Sequence, residues 1–133
     1  MIRPKVRVET LEPGLLEASG PFAVLIDTDD EAWSDPLRVR ALGVELLESG
    51  CRYFVCYGHR SESIHDSIDD VIITSSDWES VITTFHDDEP KSDVVSFFLN
   101  DASGGMKEML VWVESPLAWL PLIAAESKNM GAV

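Results

Sequence analysis

The sequence predicts an α/β domain: a three-layer α/β/α sandwich, Rossmann-like, around a mostly parallel sheet of four to five strands. Three observations lead there. Residues 22–26 and 53–57 are continuous apolar runs, the pattern of strands covered on both faces. Between them lies a stretch with helical spacing and clear start and stop signals. The connections are short, so strand, helix and strand over 22–57 make a βαβ unit that should cross over right-handed.

Taken in order, Lys5–Thr10 alternates Val6 and Val8 with charged residues and reads as an edge strand, and Pro13-Gly14 then turns the chain. Phe22–Ile26 is the first buried strand. Asp35-Pro36 reads as an N-cap followed by proline at the first helical position. Leu37, Ala41, Val44 and Leu47, with Val39, Leu42 and Leu46, carry the helical spacing on to the Gly50 stop. Arg52–Tyr57 is the next strand, rich in aromatic and β-branched residues.

From Ser61 two readings compete. Ile64, Ile68, Val71 and Ile72 form a helical stripe, which predicts a helix over 62–73 and a strand at 81–85. The alternative puts the strand at 71–74 and a helix at 77–86, opened by a Ser76…Glu79 capping box. The stripe favours the first. Pro90 then opens a helix through about Asn100, Gly104-Gly105 breaks it, and Met109–Val113 is the last strand. Ser115-Pro116 leads a final helical segment that Pro121 interrupts or delays, and the tail from Ser127 is expected to fray. With 133 residues and no linker or repeat, residues 1–133 read as a single domain.

The formal charge is −14 and unevenly spread. Residues 1–8 hold Arg3, Lys5 and Arg7, whereas residues 61–106 hold eleven acidic groups against Lys91 alone. Such a surface repels nucleic acids and anionic membranes and attracts a basic protein patch or cations. Solubility alone also explains acidity. No apolar stretch approaches the roughly 20 residues of a membrane helix, and the N-terminus lacks the apolar core of a signal peptide, so a cytoplasmic location is expected. Cys51 and Cys56 lie too close on one strand to form a bridge, and their opposite parity predicts opposite faces.

Four constellations could carry chemistry. A strand followed by Asp27-Thr28-Asp29-Asp30 offers carboxylates to a hard cation. It resembles the first motif of haloacid-dehalogenase-type phosphatases, and that resemblance implies Asp27 as nucleophile and Asp29 as acid/base. The chain departs from that family in placing Cys56-Tyr57, not Ser or Thr, at the end of the next strand. Receiver domains of two-component signalling also gather Asp residues after their first strand, but here Glu114-Ser115 follows the last strand where they place Lys. Helix capping accounts for the same acids.

The second constellation is His59 and His86, each at a strand end, with Asp87 and Asp88. Together with Asp27 and Asp29, these imidazoles and carboxylates could bind a divalent metal such as zinc, manganese or iron, or supply a general base, if strand order brings them together. His65, beside Asp66, reads as a surface residue. The third is nucleophilic catalysis. Cys56 and His59 lack an orienting partner, and Ser61, Ser63 and Ser75-Ser76 lack a nucleophile elbow. The fourth is a binding surface, in which Trp33 and Trp78 sit in loops flanked by acids, the layout of interface anchors, although tryptophans also close the ends of cores.

The leading expectation is therefore a small acidic binding module, of inhibitor or immunity type, that contacts a basic protein partner through Trp33, Trp78, Asp87 and Asp88. A metal-dependent hydrolase using Asp27, Asp29, His59, His86 and Asp87 is the alternative, and an accessory domain without catalysis is the plainer one. The binding readings involve no cofactor.

Overall fold

The computed structural model describes residues 3–131, and side chains through Lys128. Five strands form one parallel sheet in the order β1 (Lys5–Thr10), β5 (Glu108–Val113), β2 (Phe22–Asp27), β3 (Cys51–Tyr57), β4 (Ile82–His86). The helices are α1 (Pro36–Glu48), α2 (Ser61–Ile72), α3 (Lys91–Asp101) and α4 (Leu120–Gly131). Right-handed crossovers explain the layering. The chain steps β2–β3–β4 in one direction with α1 and α2 on one face, then returns to β5 with α3 on the other.

Burial follows the same division. Phe22, Val24, Ile26, Phe54 and Trp112 meet α1 and α2, while Ala23, Leu25, Val55, Val111 and Val113 meet α3 and α4. Two-sided burial is why β2 contains no polar residue before Asp27. No helix joins β1 to β2. Instead a strap of residues 11–21 covers the α1-side face through Leu11, Leu16 and Ala18. The Glu45 carboxylate of α1 accepts the N–H groups of Gly14 (3.0 Å) and Leu16 (3.2 Å) and holds the strap down.

Most local signals act as expected. The Asp35 side chain accepts the Leu37 N–H at 3.0 Å with Pro36 opening α1. The stripe of Ile64, Ile68, Val71 and Ile72 is buried in α2, so the strand lies at 82–86 and 71–74 is not a strand. Pro116–Ala118 forms a 3-10 turn, and Pro121 falls in the first turn of α4, where a missing N–H costs nothing.

Two expectations change. The tail predicted to fray from Ser127 continues as α4 to Gly131, and residues 132–133 lie outside the described residues. Cys51 and Cys56 do not face opposite sides of the sheet. Phe22 pairs with Cys51 but Ala23 with Tyr53, so a bulge at Arg52 resets the parity and turns both cysteines into the α1–α2 core. Burial pushes both thiols up, which keeps them protonated and inert.

That bulge sits beside a close approach of two chain segments. Gly50 has φ +104°, and a Cβ placed on it would lie 2.7 Å from the Cα of Gly20. Gly14, at φ +81°, faces open space. Gly14→Ala should therefore cost only about 1 kcal/mol from backbone strain. Gly50→Ala should cost more than about 2 kcal/mol, because backbone must also move. Urea unfolding of the two variants measures the difference, and equal costs would contradict the close approach.

Candidate functional site

The carboxyl ends of β5, β2, β3 and β4 lie side by side, and the chain leaves β2 and β5 in opposite directions, which makes that edge the place where open α/β folds bind ligands. Asp27, Tyr57 and His86 are Cα partners across three neighbouring strands. Parity puts all three on the α3–α4 face. Asp27 and His86 are still two strands apart, about 9.5 Å by strand spacing. That separation decides what the histidines can do.

The structure pairs His59 with Asp29, a member of the expected set, and His86 with Glu89, which lies outside it. His59 follows Gly58, whose φ of +115° lets the backbone pass within contact of Thr28 and Asp29. Asp29 Oδ1 accepts the His59 N–H (3.0 Å), and Asp29 Oδ2 lies 3.1 Å from His59 Nδ1. The imidazole is largely exposed. His86 is buried, with Nδ1 2.6 Å from Glu89 Oε2 and Nε2 3.0 Å from the Thr84 hydroxyl. Its ring tilts against Phe97 at 4.8 Å. Asp87 and Asp88 are exposed and touch neither histidine in any described hydrogen bond or ion pair.

Asp29 and His59 thus meet, but the donor atoms of Asp27, Asp29, His59, His86 and Asp87 do not gather at one point. Among the described residues, the one set of three such groups with ligand atoms within 4.8 Å of one another is His65, Asp66 and Asp69 on α2. His65, expected at the surface beside Asp66, does lie beside it but is half-buried. Its side chain is 19 % exposed, its ring stands edge-on to Phe85 at 5.1 Å, and its nitrogens face Asp66 (3.0 Å) and Asp69 (3.6 Å). Trp33 also needs correction as a binding residue. It is 1 % exposed and belongs to the α1–α2 core, because the 3-10 turn Glu31–Trp33 folds it inward. Trp78 is half-buried against the same core.

Several edge residues carry interactions that their sequence context did not reveal. Between β2 and β5 two carboxylates exchange backbone bonds. Asp30 Oδ2 accepts the Glu114 N–H (2.9 Å), while Glu114 accepts the N–H groups of Glu31 (2.9 Å) and Ala32 (3.1 Å) at the head of the 3-10 turn. Burial pushes the Asp30 carboxyl up to about 6, despite the bond from Glu114, with Asp27, Glu114 and Asp29 adding repulsion. Burial likewise raises Asp27, partly offset by the Asp29 N–H and by the charge of Lys91. Lys91 opens α3 and sits 4.9 Å over the Trp119 ring, which in turn meets Tyr57 edge-on at 5.2 Å. Arg60 donates to the carbonyl oxygens of Thr28 (3.1 Å) and Asp30 (3.4 Å). The visible clues were Glu114 directly after a strand and Glu89 three residues beyond His86. Neither says which strand lies next door.

The fold is thus a doubly wound parallel α/β domain with an acidic carboxyl edge. The chain belongs to the family described as a domain of unknown function, DUF7684, which matches residues 5–113. That span opens on the first residue of β1 and closes on the last of β5. No curated protein and no solved structure matches the chain.

The clasp makes two predictions. Glu114→Ala removes the acceptor for two amides and should lower stability by about 1–2 kcal/mol in urea unfolding. The folded chain binds a proton at Asp30 more tightly than its ordinary 3.8. This group therefore favours folding most below about pH 4, and that contribution is lost as pH rises through about 6. Asp30→Asn should gain stability relative to the natural chain between pH 4 and 7, and a pH-independent difference would rule out the raised carboxyl.

Proposed function

We propose that the protein is a small acidic binding module whose sheet edge receives a basic surface of a protein partner. The observation that carries this reading is the concentration of carboxylates along one edge. Asp27, Asp30, Glu31 and Glu114 sit around the β2–β5 gap, Asp29 lies against the turn after β3, and Asp87, Asp88 and Glu89 follow β4. Lys91 and Arg60 offset only part of that charge. Burial and, to a smaller extent, mutual repulsion work against ionisation of Asp27 and Asp30, and an approaching cation would relieve that repulsion.

The edge spans several strands, a width that suits a protein surface better than a single ion. An inhibitor-type role, with the acidic edge covering a partner's basic site, agrees with size and charge. Trp33 takes no part in it, and Trp78 contributes only its exposed fraction.

Fluorescence anisotropy with a labelled oligolysine peptide tests the reading. Raising salt from 50 to 200 mM should weaken capture by about tenfold. The double substitution Asp87→Lys, Asp88→Lys should weaken it by a similar factor at low salt, since those two residues are exposed and outside the core. Capture indifferent to both changes would defeat the proposal.

A further inference from the structure

The two edges of the sheet are built differently. β1 carries Lys5, Arg7 and Glu9, charges of the kind that keep an edge strand from pairing with another chain. β4 reads Ile-Thr-Thr-Phe-His and carries no lysine, arginine, carboxylate or proline. Among the described residues β3 is its only strand neighbour. Gly58 donates its N–H to His86 O at 3.2 Å, so the His86 backbone faces β3. Alternation along the strand then turns the N–H and C=O groups of Thr83 and Phe85 outward. Beside them Ile82 is 49 % exposed and Phe85 39 % exposed, one on each face of the sheet. The edge therefore offers unpaired backbone groups flanked by apolar side chains.

Charge identifies the occupant. Asp77 and Glu79 precede β4, and Asp87, Asp88 and Glu89 follow it. A second copy docked antiparallel would bring these two acidic groups face to face. We infer that β4 accepts an extended, lysine- or arginine-rich segment of a partner protein as a sixth strand. Backbone hydrogen bonds to Thr83 and Phe85 supply the pairing, and the acids at either end supply selection for positive charge. The inference rests on the cationic-partner reading above and adds how that partner is held.

The probe is a heptapeptide of alternating lysine and valine, compared with the same peptide N-methylated at every amide. The second keeps charge and side chains but has no backbone N–H to donate. The plain peptide should bind at least about tenfold tighter. Hydrogen exchange at the Thr83 and Phe85 amides should slow on binding. Equal affinity for both peptides with unchanged exchange would overturn strand addition and leave the charge reading intact. No binding of either peptide at 50 mM salt would overturn the charge reading as well. A dimer in sedimentation equilibrium without peptide, with those amides already protected, would assign the edge to a second copy and overturn the inference.

Discussion

Everything in this molecule is arranged around the burial of β2 on both faces. Phe22 through Ile26 have no exposed surface, and β2 pairs with β3 on one side and β5 on the other. Burying each of these larger side chains is worth roughly 1.5–3 kcal/mol, gained only if helices cover both faces. That requirement places α1 and α2 on one side and α3 and α4 on the other. It also fixes where the chain first meets water again, at Asp27.

The acidic edge is a consequence of that exit. Asp27, Asp29 and Asp30 leave the most buried strand of the sheet, so some of them remain partly desolvated, and the fold must hold their charge with donors. Backbone N–H groups do most of this work. The Asp29 N–H reaches Asp27, the His59 N–H reaches Asp29 and the Glu114 N–H reaches Asp30. The Asp30–Glu114 exchange closes the β2–β5 gap with the protein's own carboxylates, in a place where other α/β domains leave a crevice. The charge that is left over points outward.

How much could be read beforehand differs from residue to residue. The α2 stripe predicted the strand at 81–85, which the structure places at 82–86, because four aliphatic side chains at helical spacing need one common face. The acid-and-histidine edge was also visible, since strand ends are marked by the residues that follow apolar runs. What those residues do was hidden. His86 and Asp27 share a register row yet sit two strands apart, so His59 meets Asp29 while His86 turns to Glu89 instead. Trp33 read as a loop residue because local sequence does not reveal a single inward-turning 3-10 turn. The cysteine parity failed because one bulged residue reverses every side chain on its far side.

By itself, the sequence determined the alternation of strands and helices, the buried strands, the α1 cap and the acidic character of the surface. Those are local properties: periodicity, capping geometry and charge are set within a turn or two of chain. Only the tertiary structure decided the order β1-β5-β2-β3-β4, the meeting of Asp30 with Glu114, the inward turn of Trp33 and the uncovered edge of β4. Each of these depends on which strands become neighbours, and that choice is made by the joint burial of two faces of one sheet, which no short segment contains.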